Sequence, residues 1–256
     1  VRGPVYQRTK GSEEERWQAA WRAGMFACIV TGLLELLMAP FVSFLRKNIP
    51  RAAMLSCLAG TALTFVSMGF AFQIYQTPSI ALAPALLIMV FFSSQARMPF
   101  GIPAGLSCVC LGLVLAWGGI ALHMHEWDRP SCDDCTFAFQ VPHLEYEKIA
   151  QIFSTGDLLP YLTIILPLAL FNLVGDMANL ESAAAVGDAY STMQTLVMDA
   201  LCTIVGGLFG SCFPTTIFIG HPGFKALGAR AGYSFIHAAV MLLLVTFNGV
   251  PPLVSV

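Results

Sequence analysis

In the stretch LFNLVGDMANLESAAAVGDAYS, Asn172, Asp176 and Asn179 recur at spacings of four and three residues, which stacks their side chains on one face of a helix. Glu181 projects from a different face. Ionisable residues inside an apolar helix are costly and are usually functional, so this stripe is expected to line a cavity, with hydrogen bonding between helices or a helix end in the interface as the alternative. Asp188 and Asp199 are expected to face water at the ends of a connection. Further along, His221 in GHPG offers hydrogen bonds or a group that exchanges protons near neutral pH. Cys132 and Cys135 form a CxxC in HMHEWDRPSCDDCTF, beside His123, His125 and two aspartates. Zinc would need a stronger second ligand pair, so a local disulfide between Cys132 and Cys135 is expected in an oxidising exterior. The same CxxC opens a rival reading, a membrane thiol oxidoreductase, which would need a second cysteine pair or a quinone pocket. The other cysteines sit in apolar runs, where Cys behaves as a small hydrophobe.

The elements that must carry these residues are membrane helices. Of the 256 residues, 57% are hydrophobic and 11% charged, with mean hydropathy +0.73; soluble domains carry about 25% charged residues. A net charge of -2 supplies no basic field for nucleic acid, and nucleic-acid binding is excluded. Runs long enough to span a bilayer fall near 23–45, 51–72, 79–95, 102–124, 158–184, 196–213 and 233–250. Arg46, Lys47 and Arg51 between the first two spans, and Arg97 between the third and fourth, mark those loops as cytoplasmic and the loop 125–157 as external. Alternation then puts Lys225 and Arg230 on the cytoplasmic side only if 214–232 crosses back. The chain starts at Val1 rather than Met and ends at Val256 after an apolar run, so a fragment is expected.

Segment 214–232 is too broken to span as one helix. Irregular backbone at membrane depth survives only where protein buries it or a watery cavity solvates it. PTTIFI suits an extended stretch, GHPG a turn with Pro222 in the first turn of a helix, and a half-helix should follow through Phe224 and Ala226. Its start, at Gly220 and Gly223, would bring unpaired N–H groups and a positive dipole end to the solute.

DALCTIVGGLFGSCFPTTIFIGHPGFKALGARAGYS, with LRKNIPRAAMLSCLAGTALTFVSMG and RMPFGIPAGLSCVCLGLVLAW upstream, resembles the nucleobase/ascorbate transporters, the nucleobase-cation symporter family of xanthine and uracil permeases, above all its adenine/guanine-hypoxanthine branch. The resemblance covers most of residues 25–250. It implies fourteen segments in two inverted repeats of seven, a core and a gate domain, and a solute held between segments three and ten by carboxylates on segments eight and ten; this chain would carry segments four to eleven. Thr215 and Thr216 match the family's strand threonines. LES resembles the acidic-Ser pair of the sulfate and bicarbonate relatives, so Glu181 competes with Asp176 for the segment-eight role and is preferred. The chain departs from the family near Gly220 and His221, where the symporters carry a Glu.

The expectation is therefore an all-α polytopic membrane protein with a discontinuous strand-plus-half-helix segment at 214–232. Its parts are a polar segment 1–22, a core helix 23–50, gate helices 51–124, the external loop 125–157 and core helices 158–256. The expected function is secondary transport of a purine, pyrimidine or similar planar solute across the plasma membrane, coupled to H+ or Na+, with no enzyme chemistry and no cofactor, and with homodimer formation open. Glu181, Asp176, Asn179, Asn172, His221, Thr215, Thr216, Gly220 and Gly223 would bind the solute. An inorganic anion transporter of the same fold is the alternative. Gly105, Gly206, Gly207 and Gly210 should allow close helix packing, Gly223→Leu should crowd the half-helix, and the strand's polar groups should face a void wherever segment three is missing.

Overall fold

The computed structural model describes residues 12–94, 104–122, 139, 143–145, 147–148, 150, 161–226, 228–230 and 232–247. Among these residues, helix is the regular structure and no strand occurs. The helices are α1 (Glu13–Asn48), α2 (Arg51–Thr61), α3 (Met68–Gln76), α4 (Pro78–Ser94), α5 (Ala104–Ala121), α6 (Leu162–Ala185), α7 (Thr192–Leu208), α8 (His221–Ala226) and α9 (Tyr233–Thr246). A π-helical stretch, Ala62–Ser67, joins α2 to α3, so that Arg51–Gln76 is one continuous helical run. Among the described residues, this run, α1 and α6 are the three helices long and apolar enough to cross a membrane.

The helix ends follow from local chemistry. α1 opens on a capping box, in which the Ser12 hydroxyl accepts from the Glu15 N–H and the Glu15 carboxylate accepts from the Ser12 N–H. Glu13, Glu14 and Glu15 occupy its first turn and Arg46 and Lys47 its last, each with the sign that the helix dipole favours. Pro40, Pro84 and Pro167 lie inside helices, as membrane helices tolerate.

The chain divides into two compact units, Val1–Ala59 with Pro142–Tyr233, and Gly60–Val141 with Ser234–Val256. In the first, α1, α6 and α7 pack together around Ala39, Val42, Met54, Leu173, Met177, Ala178 and Leu196, with Ile217 against them. A second cluster at the other end of the same helices joins Met25, Phe26 and Ile165 to Trp21 and Cys212. Glycines set the closest approaches. A Cβ on Gly32 would lie 2.8 Å from Ile204 Cγ1 and 2.9 Å from the Ala200 carbonyl oxygen, and one on Gly207 would lie 2.7 Å from Ile29 Cγ1. Gly105, expected to serve the same purpose, has open space around it. The second unit shows large apolar side chains on its surface, among them Phe65, Phe70, Phe72, Val114 and Phe235, a surface that suits lipid rather than water.

Candidate functional site: a threaded segment and three buried carboxylates

Between α7 and α8, residues 209–220 carry no helix. Ten residues, 211–220, can reach about 33 Å at most, enough to return along α7, whose 17 residues rise about 25 Å. Hydrogen bonds trace that return. At the start, Gly210 turns the chain with φ 95°, its carbonyl accepting from Trp21 Nε1 at 2.8 Å. Cys28 Sγ lies 3.4 Å from the carbonyl oxygens of both Phe213 and Thr203.

In the middle of the unit, side chains of α6 and α7 take up the segment's backbone. The Thr215 N–H donates to Thr203 Oγ1 at 3.0 Å, and the Thr215 carbonyl accepts from Asn172 Nδ2 at 3.2 Å. Asp176 Oδ1 accepts from the Thr216 hydroxyl at 2.7 Å and from the Ile217 N–H at 2.9 Å. Asn179 Nδ2 donates to the Ile217 carbonyl at 2.7 Å. The stripe 172, 176, 179 thus grips a backbone. This corrects two expectations: the segment is not a strand, because its neighbours are helices with no free backbone groups to form a ladder, and the backbone groups of Thr215 and Ile217 do not face a void, because Asn, Asp and Thr side chains stand in for the missing ladder.

At the other end, α8 begins at His221, two residues before the expected Gly223, and places Pro222 in its first turn. The His221 ring nitrogens face Tyr233 Oη at 2.9 Å and Asp188 Oδ2 at 2.8 Å, and Lys225 Nζ reaches Asp188 Oδ2 and the Val186 carbonyl, each at 2.8 Å. Lys225, and then His221, hold the Asp188 carboxyl below the usual carboxylate range. Nearby on the same face of the unit, Glu181 bridges Arg46 Nε at 2.6 Å and Arg51 Nε at 2.5 Å, and Arg46 Nη1 donates to Thr192 Oγ1. Preferred as the solute carboxylate, Glu181 instead has both oxygens engaged by guanidinium groups. Gly220 lies under the ring of Phe218, two residues before it, and a Cβ at Gly223 meets nothing within 4 Å.

A group that sequence reasoning missed lies between these ends. Glu35 of α1, 1% exposed, accepts from Asn172 Nδ2 at 2.6 Å through Oε1. One carboxylate oxygen from each of Glu35, Asp176 and Asp199 falls within 4.8 Å of the others. Asp199, expected in water, is partly buried because α7 packs its neighbouring face against α1; its Oδ2 is buried, and Thr215 Oγ1 donates to its backbone carbonyl. Glu35 Oε2, Asp176 Oδ2, Asp199 Oδ2 and Asn179 Oδ1 are buried without a hydrogen-bond partner. The signal for Glu35 was present, a lone acid in the apolar run TGLLELLM, of the kind that marks a functional residue at membrane depth.

Beside Asn172 opens a cavity of about 460 Å³, lined by Gly24, Cys28, Thr31, Phe171 and Phe213 among others. Ligand sites occupy about 300–1,000 Å³ and are mostly apolar with a few placed polar groups. Asn172 therefore touches the cavity, the threaded segment and Glu35 together. Cys132, Cys135, His123, His125 and Arg97 lie outside the described residues, as does the expected disulfide. No family model, curated protein or solved structure matches the chain.

Proposed function

We propose that this chain is part of a multi-pass secondary transporter of the plasma membrane that carries a nucleobase or a similar small planar solute, coupled to H+ or Na+. The supporting observation is the non-helical segment 209–220 threaded along α7, held by buried polar side chains beside a cavity of about 460 Å³. Broken segments in apolar surroundings are how many secondary transporters bring polar groups to a solute near the bilayer middle. Phe171 and Phe213 among the lining residues offer faces for a planar ring, and Asn172, whose amide hydrogens are taken by Glu35 and the Thr215 carbonyl, offers its Oδ1 as an acceptor to a base edge. Glu35, hydrogen-bonded to the lining residue Asn172, weighs against an inorganic anion as the solute. Nothing in the reading calls for a chemical step or a cofactor.

The test is radiolabelled uptake by cells producing the full-length protein, comparing hypoxanthine, uracil and sulfate. Saturable uptake of a nucleobase, inhibited by unlabelled base and unaffected by sulfate, is the expected result. Uptake of sulfate alone, or no uptake at normal surface expression, overturns it.

A further inference from the structure

We infer that Glu35, Asp176 and Asp199 form a binding site for one sodium ion, placed where three helices meet the threaded segment. The inference rests on the transport reading for the use made of the ion, while binding itself stands on geometry.

The three acids come from α1, α6 and α7, and an oxygen from each lies within 4.8 Å of the other two. Glu35 and Asp176 are 1% and 0% exposed, and each of the three keeps one buried carboxylate oxygen with no hydrogen-bond partner. Unpaired charges buried at such depth are among the most expensive arrangements in a protein, and one monovalent ion offsets a single charge, so the other two acids hold protons when the ion is bound. The ion pairs among the described residues do not reach these acids: Arg46 and Arg51 are held by Glu181, and Lys225 and His221 by Asp188. Asp176 receives the Thr216 hydroxyl and the Ile217 N–H, and Glu35 the Asn172 amide. These donors are neutral and leave the second oxygens open.

The donor set selects the ion. It contains carboxylate oxygens, with the Asn179 amide oxygen unpartnered one turn along the same face of α6. No sulfur or imidazole joins it, so it suits hard cations rather than zinc, copper or iron. Oxygens within 4.8 Å of one another leave room for an ion held at about 2.4 Å, the distance taken by calcium-sized ions, whereas magnesium demands near-octahedral geometry and keeps several waters. Sodium has that larger size, and its single charge lets it leave again during a transport cycle. Because Asp176 Oδ1 holds the Ile217 N–H and Asn172 bridges Glu35 to the Thr215 carbonyl, an ion bound here would also tighten the segment that borders the cavity.

The test uses the purified full-length protein at one pH, in sodium chloride or choline chloride of equal ionic strength. Thermal unfolding should shift upward in sodium, saturably, and 22Na+ should bind at one ion per chain. Glu35→Gln and Asp199→Asn should each weaken 22Na+ binding at least tenfold while keeping the gel-filtration profile of the parent. Should either variant fail to fold, 22Na+ binding to the parent chain decides. Absence of 22Na+ binding, an unaltered affinity in both variants, or stabilisation by calcium but not by sodium overturns the site. Sodium binding without uptake of any nucleobase would overturn the transport reading and leave the ion site standing; nucleobase uptake equal in sodium and choline would leave the transport reading standing and overturn the coupling role of the ion.

Discussion

At the scale of single residues, position along an apolar helix did not decide what each acid does; its partners did. Glu181 and Asp176 lie five residues apart on α6, yet one faces two arginines and the other two backbone-segment donors. Removing the charge of Glu181 leaves Arg46, whose side chain is 18% exposed, without its carboxylate. Breaking a buried pair costs about 3–5 kcal/mol; with Arg51 59% exposed, Glu181→Gln should cost less, about 1–3 kcal/mol. Thermal unfolding is the measurement, and Arg46→Gln in the Glu181→Gln background should add little further loss. If Glu181→Gln keeps full stability but abolishes uptake, Glu181 serves the solute instead. The stripe at 172, 176 and 179 was legible from spacing alone. Its object was not, because spacing tells which face a residue shares and is silent on what lies opposite. Asp199 shows the same limit: the helix-end position assigned from the sequence suggested water, whereas it is partly buried beside the face of α7 that packs against α1.

Among the elements, long apolar helices were legible because their lengths and their terminal residues are written locally, as in the Ser12–Glu15 box of α1. The course of 209–220 was less so. Prolines and glycines announced that no helix could run there, and the strand inferred from β-branched residues assumed a neighbouring strand that is absent among the described residues. Helix packing supplies a direct comparison. Gly32→Ala would drive a methyl against the Ala200 carbonyl at 2.9 Å, and backbone cannot yield as a side chain can; overpacking of this kind costs about 1–3 kcal/mol, against a gain of under about 1 kcal/mol in helix propensity. Gly223→Ala, in open space within α8, should be neutral or slightly stabilising. Thermal unfolding of the two variants side by side checks this, and equal effects would mean that α1 and α7 do not approach through Gly32.

For the whole molecule, the hydrogen bonds of the first unit fix which residues share an end. Arg46, Glu181, Asp188 and Lys225 gather at one end, and Trp21 and Gly210 at the other, so segment 209–220 carries the chain from one end to the other. With Arg46 and Lys47 as inward-side charges, Lys47 and Arg230 should be on one side of the membrane and Gln18 on the opposite side. In a background whose exposed cysteines are replaced by alanine, an impermeant thiol reagent applied to intact cells should label Gln18→Cys and spare both Lys47→Cys and Arg230→Cys. Labelling of Arg230→Cys together with Gln18→Cys would mean that the segment turns back.

The tie between α6 and that segment also changes how genetic screens on this protein are to be interpreted. Asn172, Asp176, Asn179 and Thr203 each hold a backbone group of residues 215–217, a task that a sheet would spread over many amides. Loss-of-function alleles should therefore concentrate at these four codons even where no solute is touched. A cluster of such alleles would map the moorings of the segment, and only a change in selectivity between solutes would map the binding site itself.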